Sequence, residues 1–277
     1  MRFTKMQGLG NDYIYVNLFE ETVKDPSALA TKLSDRHFGV GGDGLVLIGP
    51  SDRADFRMEM YNQDGSRGAM CGNASRCVAK YVYERALTDK TVLQLETDAG
   101  VRELRLSVKD GIVTSVCVDM GAPVFNCARI PCLLGSGEAL RAPVQSGDRV
   151  FEATAVSMGN PHAVIVLEEP VEDFDLRRYG PAIETSPAFP DRTNVEFINV
   201  LSRDHIRMRV WERGSGETMA CGTGACAALA AANRLGLADA RAQVTLDGGA
   251  LFIELDAATG HVLMSGPAQF VFDGEIA

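Results

Sequence analysis

The order of apolar and polar positions predicts a chain of short strands interrupted by a few helices. An apolar run over residues 13 to 19 predicts a strand, and Pro26 to Leu33 predicts a short helix begun by Asp25 or Pro26. The glycine-dense stretch Gly39-Val40-Gly41-Gly42-Asp43-Gly44 reads as a turn. It leads into the apolar strand Leu45 to Ile48, and Phe56 to Tyr61 alternates as another. In the segment Gly72 to Leu87, Val78, Ala79, Val82 and Tyr83 recur at helical spacing, so Cys71 stands at a helix start. Strands are predicted next over Leu93 to Thr97, Val101 to Val108 and Ile112 to Val118, with Lys109-Asp110-Gly111 as a hairpin turn.

A second cycle follows. Strands are predicted over Phe151 to Ser157 and Ala163 to Leu167, and a polar helix near Val171 to Tyr179. Strands at Glu196 to Val200 and Ile206 to Val210 precede an alanine-rich helix, Gly222 to Leu235, stopped by Gly236. Strands at Gln243 to Leu246, Leu251 to Leu255 and Val262 to Ser265 close the pattern.

The two cycles end alike. Met70-Cys71-Gly72-Asn73-Ala74-Ser75-Arg76-Cys77 resembles Ala220-Cys221-Gly222-Thr223-Gly224-Ala225-Cys226, and each follows strands and opens an apolar helix. We read this as an internal duplication. The first half is expected over residues 1–118, with a C-terminal strand of about 267–277 returning to it, and the second over 119–266.

Composition narrows the class. At 46% hydrophobic and 23% charged residues the chain is ordinary globular material. A net charge of -10 and the lack of a Lys/Arg stripe argue against a nucleic-acid partner. Residues 1–9 carry no apolar run long enough for a secretory segment or membrane span, so no membrane partner and a cytoplasmic setting are expected. Reducing surroundings keep thiols free, and seven cysteines cannot all pair within one chain.

A cysteine taken alone is more often a small buried hydrophobe than a reactive group. That applies to Cys77, Cys117, Cys127, Cys132 and Cys226. Cys71 and Cys221 differ, because unpaired N–H groups at a helix N-terminus stabilise a thiolate. The same donors, from Gly72, Asn73, Gly222 and Thr223, could hold a carboxylate and stabilise the charge that develops when a proton leaves the adjacent carbon. The cysteines lack C-x-x-C and H-x3-5-H spacing, so no metal site is expected. Neither a nicotinamide fingerprint nor a P-loop is present.

The other polar candidates remain open on residue type alone. His162 fits either a loop histidine or a site residue. Glu212 and Arg213 lie on a glycine-rich loop ahead of Cys221, which favours a site over a surface ion pair. Asn11, Asn62, Asn160 and Asn194 sit beside turn residues, a common structural use of asparagine.

Six segments stand out together: Lys5-Met6-Gln7-Gly8-Leu9-Gly10-Asn11-Asp12, Tyr61-Asn62-Gln63-Asp64-Gly65-Ser66, Met70-Cys71-Gly72-Asn73, Met158-Gly159-Asn160-Pro161-His162, Arg209-Val210-Trp211-Glu212-Arg213-Gly214-Ser215-Gly216-Glu217-Thr218 and Ala220-Cys221-Gly222-Thr223-Gly224-Ala225-Cys226. By these motifs the chain resembles the diaminopimelate epimerase family along nearly its whole length.

The resemblance implies an α+β fold of two pseudo-symmetric halves, each a mostly antiparallel sheet wrapped around a central helix. It also implies interconversion of LL- and meso-2,6-diaminoheptanedioate in lysine biosynthesis, with no cofactor, and a homodimer. By the family pattern Cys71 and Cys221 transfer the protons, with His162 and Glu212 beside the reacting centre. Substrate contacts carry over to Asn11, Asn62, Gly72, Asn73, Asn160, Asn194, Glu212, Arg213, Gly222 and Thr223. Arg213 and the asparagines would take the distal carboxylate. Two positions depart from the pattern: Ala74, where glycine is common and positive φ comes into question, and Gly44, where some members carry a substrate-contacting glutamine. The alternatives are a related two-cysteine racemase of proline or hydroxyproline, and a non-enzymatic switch in which Cys71 and Cys221 form a reversible disulfide.

Overall fold

A computed structural model describes residues 1–276, and their contacts divide them into two compact units. The first is Met1–Asp119 with the described residues from Ser265 onward; the second is Met120–Met264. Residue 277, where the expected returning stretch ends, lies outside the described residues.

The first unit runs β1 (Arg2–Gly8), β2 (Asn11–Asn17), α1 (Pro26–Ser34), β3 (Gly44–Gly49), β4 (Phe56–Asn62), β5 (Arg67–Gly68), α2 (Gly72–Glu84), β6 (Val92–Thr97), β7 (Gly100–Lys109) and β8 (Ile112–Asp119). The chain continues through β9 (Ala142–Ser146), β10 (Arg149–Ser157), β11 (Pro161–Val166), α3 (Leu176–Glu184), β12 (Asn194–Ser202), β13 (His205–Glu212), β14 (Gly216–Thr218), α4 (Gly222–Arg234), β15 (Arg241–Leu246), β16 (Gly249–Leu255) and β17 (Val262–Gly266). The last strand, β18 (Gln269–Glu275), pairs antiparallel with β1 in the first unit.

Each unit is mostly antiparallel, and the exceptions fall at matching places. In the first unit β2–β3 and β4–β6 are parallel; in the second β11–β12 and β13–β15 are. The helix that follows sits in the hollow of its own unit's sheet: α2 packs on β1, β2, β7 and β8, and α4 on β10 through β13, β15 and β16. This bears out the α+β architecture of two similar halves around central helices.

Sequence explains why those helices can be interior. In α4 only Thr223, Asn233 and Arg234 escape burial, and eight of its thirteen residues are alanine or glycine, so sheet backbone can approach on every side. Gly236, at φ +75°, ends it in the left-handed region. Buried α2 instead carries polar side chains that find local partners: Ser75 donates to the Cys71 carbonyl at 2.9 Å, and Lys80 donates to Glu84 and to the Val113 carbonyl. An unpaired interior charge would cost several kcal/mol.

The structure corrects the expected third helix. Residues 171–174 form turns, and α3 begins only at Leu176, because Asp175 caps it by accepting from the Arg178 N–H at 3.1 Å. Val171 and Phe174 join the core of the second unit, packed with Phe151, Tyr179 and Phe197. Strands β1, β5, β9 and β14 were not anticipated. Ala74 lies in α2 with helical geometry, so no positive φ is needed there. Gly44 is fixed by packing, since a Cβ would run into the Tyr61 carbonyl of β4.

Candidate active site

Both units place a cysteine as the N-cap of the interior helix, in nearly the same extended conformation. Cys71 has φ -137° and ψ 121°; Cys221 has φ -121° and ψ 110°. Each thiol therefore faces the first turn of its helix, where N–H groups lack intrahelical partners. Around this shared backbone the side chains differ.

In the first unit amides surround the thiol. The Cys71 thiol donates to Asn11 Oδ1 at 3.4 Å and accepts from the Ala74 N–H at 3.5 Å. Asn73 Nδ2 donates to the same Asn11 oxygen at 3.3 Å, and Asn11 Nδ2 donates to Asp43 at 2.7 Å. Asn73 is buried, yet its Oδ1 has no hydrogen-bond partner among the described residues. Burial pushes the Asp43 carboxyl up, although it also accepts the Asp12 N–H. Burial opposes ionisation of Asp12 too, but hydrogen bonds from Arg36 and Lys5 outweigh it and hold that carboxyl low. Gly72 is buried at the start of α2. Asn62 ends β4, and its amide donates to Ser66 at 2.9 Å, within its own turn.

In the second unit the surroundings are acidic. The Cys221 sulfur lies 3.5 Å from Thr223 Oγ1. Burial pushes this thiol well above its ordinary range, and the negative charges of Glu212 and Glu196 push the same way. Hydrogen bonds from Thr223 and the Gly224 N–H pull it partly back. Glu212, at the end of β13, accepts from Thr218 Oγ1 at 2.5 Å. Burial raises its carboxyl as well, opposed by the Thr218 hydroxyl and the Cys221 thiol.

His162 on β11 has no exposed surface. Its Nδ1 is 2.7 Å from Glu196 and its Nε2 is 3.0 Å from Asn160 Oδ1. Asn160 Nδ2 donates to Thr223 at 3.3 Å. Asn194 donates to the Pro161 carbonyl and accepts the Arg213 N–H at 2.9 Å. The exposed Arg213 guanidinium donates to the Asp191 carbonyl at 3.1 Å, and Glu184 accepts the next N–H, of Gly214, at 2.8 Å. Gly222 is buried at the start of α4.

The structure thus gathers Cys71, Gly72, Asn11 and Asn73 in the first unit, and Cys221, Gly222, Thr223, His162, Asn160 and Glu212 in the second. Asn194 and Arg213 form a pair of their own. Sequence reasoning missed Glu196 and Thr218. Glu196 left no signal of its own in the sequence beyond standing between the apolar Val195 and Phe197; only the burial of the first five residues of β12 shows that its carboxylate needs a buried partner.

The chain matches the family model described as "Diaminopimelate epimerase" over residues 3–126 and 154–271. It is 54% identical over 276 residues to a diaminopimelate epimerase of Acetivibrio thermocellus, covering 100% of this chain and 98% of that relative. It is 49% identical to one of Methanococcus maripaludis, covering 100% and 99%. Among solved structures it is similar to a probable proline racemase of Agrobacterium radiobacter K84, with TM-score 0.74 at 16% identity over 100% of this chain and 92% of that one. A hydroxyproline epimerase of Agrobacterium vitis gives TM-score 0.72 at 17% identity, over 100% and 90%. Those two likenesses show the fold alone. The sequence matches carry further, and by them this chain belongs to the diaminopimelate epimerase family.

Proposed function

We propose that this protein interconverts LL- and meso-2,6-diaminoheptanedioate, as an isomerase of lysine biosynthesis. One observation carries the reading: the family match extends through both halves and includes both Cys-Gly helix starts.

Inverting a carbon requires a base on one face and an acid on the other. A thiolate removes the α proton, and the electron pair spreads into the adjacent carboxylate as an enediolate. The opposite thiol then delivers its proton to the other face. Protons balance, because the thiolate ends as a thiol and the thiol as a thiolate, ready for the reverse reaction. Cys71 and Cys221 fill these roles in our proposal, supported by their matched N-cap positions.

The N–H groups of Gly72, Asn73, Gly222 and Thr223 hold the substrate carboxylate where its charge grows, an interaction stronger in the transition state than in the ground state. Asn11, Asn62, Asn160, Asn194 and Glu212 contact the substrate, and His162 and Glu212 stand beside the reacting centre. Arg213 takes the distal carboxylate, its backbone held by Asn194 and its loop by Glu184. No cofactor enters this chemistry. We further propose a cytoplasmic homodimer; no helix among the described residues is long and apolar enough to cross a membrane.

The test is incubation with LL-diaminopimelate in heavy water under reducing conditions. Deuterium should appear at an α carbon as the meso isomer forms. Cys71→Ala and Cys221→Ala should each slow turnover by roughly 100- to 10,000-fold, the usual contribution of a positioned acid or base. Exchange into proline instead would favour the related racemases. Uptake into neither, with a disulfide forming on oxidation, would leave a thiol switch.

A further inference from the structure

Glu196 has no role in the chemistry described so far, yet it is a fully buried carboxylate on β12, in the second unit. Its Oε1 meets His162 Nδ1 at 2.7 Å, and its Oε2 has no hydrogen-bond partner among the described residues. As a structural pin this is poor economy, because desolvating a carboxylate costs several kcal/mol and a single imidazole contact returns only part of it.

The duplicated fold supplies an internal comparison. Asn62 and Glu212 each stand nine residues ahead of a helix-start cysteine, at the ends of β4 and β13. Gly44 pairs with Asn62, and the β12–β13 register sets Asn194 opposite Glu212. Two residues further along, the first unit has Val46 and the second has Glu196, both fully buried. The fold at this position is thus served by an aliphatic side chain in one half, so the carboxylate in the other is there for something else.

What lies beyond it is a continuous polar chain. From Glu196 the contacts run to His162 Nδ1, from His162 Nε2 to Asn160 at 3.0 Å, from Asn160 to Thr223 at 3.3 Å, and from Thr223 to the Cys221 sulfur at 3.5 Å. Gly224 keeps this arrangement tight: a Cβ there would sit 2.7 Å from Glu196 Oε1 and 3.3 Å from the Cys221 sulfur.

The geometry points to Glu196 as a positioning residue of the reaction, which commits the Nδ1 proton of His162 so that only Nε2, on the side of Asn160, Thr223 and Cys221, can change its hydrogen bonding. An ionised carboxylate accepts and never donates, so the ring nitrogen facing it carries a proton. Ring orientation is then fixed, as for other imidazoles backed by a carboxylate, and Nε2 is left to donate to the Oδ1 of Asn160. The amide of Asn160 and the hydroxyl of Thr223 take their directions from that fixed end. A glutamine at 196 is nearly the same size but offers a donor as well as an acceptor, which lets Nδ1 accept instead of donate.

This inference rests on the proposed epimerase activity, and its test separates the two. The full-length protein labelled with 15N-histidine carries four histidines, and His162→Gln identifies the signals of residue 162. In the unsubstituted protein Nδ1 should be protonated throughout the active pH range. In Glu196→Gln the Nδ1 signal should move toward the unprotonated position, and kcat for diaminopimelate should fall about 10- to 100-fold, the size of effect found when the carboxylate behind a metal-bound imidazole is lost. KM should change far less.

An unprotonated Nδ1 in the unsubstituted protein would overturn the inference, even if Glu196→Gln failed to fold. So would an altered spectrum with unchanged kcat, or a fall in kcat with an unaltered spectrum. If the unsubstituted protein did not epimerise diaminopimelate at all, the functional proposal would fall, and the spectra would still report who holds Nδ1.

Discussion

At the scale of single residues, the two thiols share a backbone setting and differ in what surrounds it. The Asn11 amide, itself hydrogen-bonded by Asn73, lies at Cys71, while Glu212 and Glu196 carry negative charge toward Cys221. A thiol ionises less readily when buried and when carboxylates face it, so Cys221 should rest protonated at neutral pH. Alkylation reads this directly, because iodoacetamide reacts with thiolate. Labelling of the Cys221 peptide should stay slow at pH 8 and rise as pH increases beyond 9. Glu212→Gln removes one opposing charge and should move that rise to lower pH. Burial is the larger cause, so the displacement should be partial. Identical labelling profiles in the two proteins would show that the Glu212 charge does not reach the sulfur.

At the scale of elements, the helices decide what can stand near the thiols. Gly→Ala in an exposed helix interior gains up to about 1 kcal/mol from propensity. Gly224 in α4 should behave oppositely, because its Cβ would collide with the buried Glu196 carboxylate and crowd Cys221. Gly224→Ala is expected to cost about 1 to 3 kcal/mol by overpacking, read as a lower midpoint in urea, with a drop in kcat. A more stable, fully active variant would mean that the carboxylate can swing away.

The same scale shows what the sequence made legible. Helices α2 and α4 with their N-cap cysteines could be read, because apolar periodicity, a cysteine-glycine start and Gly236 all agree. The α3 boundary could not, because Val171 and Phe174 look like a helix face but are core residues held in turns. Strands β5 and β14 have only two and three residues, too few to show a period. Among the candidate site residues, Cys71, Cys221 and Glu212 were legible by type and context, and His162 only through the family resemblance. Glu196 was not, because its meaning depends on a parallel strand pairing that brings it to a histidine 34 positions earlier.

At the scale of the whole molecule, the remaining cysteines shape how stability depends on pH. Burial raises the Cys77 thiol in α2 to about 11 and the Cys132 thiol to about 11, and pushes Cys221 well up. In the unfolded chain such thiols ionise near 8.5. Above that pH the unfolded state gives up protons that the folded state keeps, so the folded state binds more and stability must fall as pH rises. The contribution is fully present below about pH 8.5 and is lost as pH climbs toward 11. For one thiol the total is on the order of 3 kcal/mol, which makes Cys77 a measurable part of the slope. Cys77→Ala removes that titration at the cost of a small cavity. Its unfolding free energy in urea should start lower than that of the unsubstituted protein at pH 7.5. The gap should then close by about 2 kcal/mol as pH approaches 10.5. Parallel curves would mean that the folded state releases the Cys77 proton as freely as the unfolded chain does, and that α2 is not the dry interior helix its burial describes.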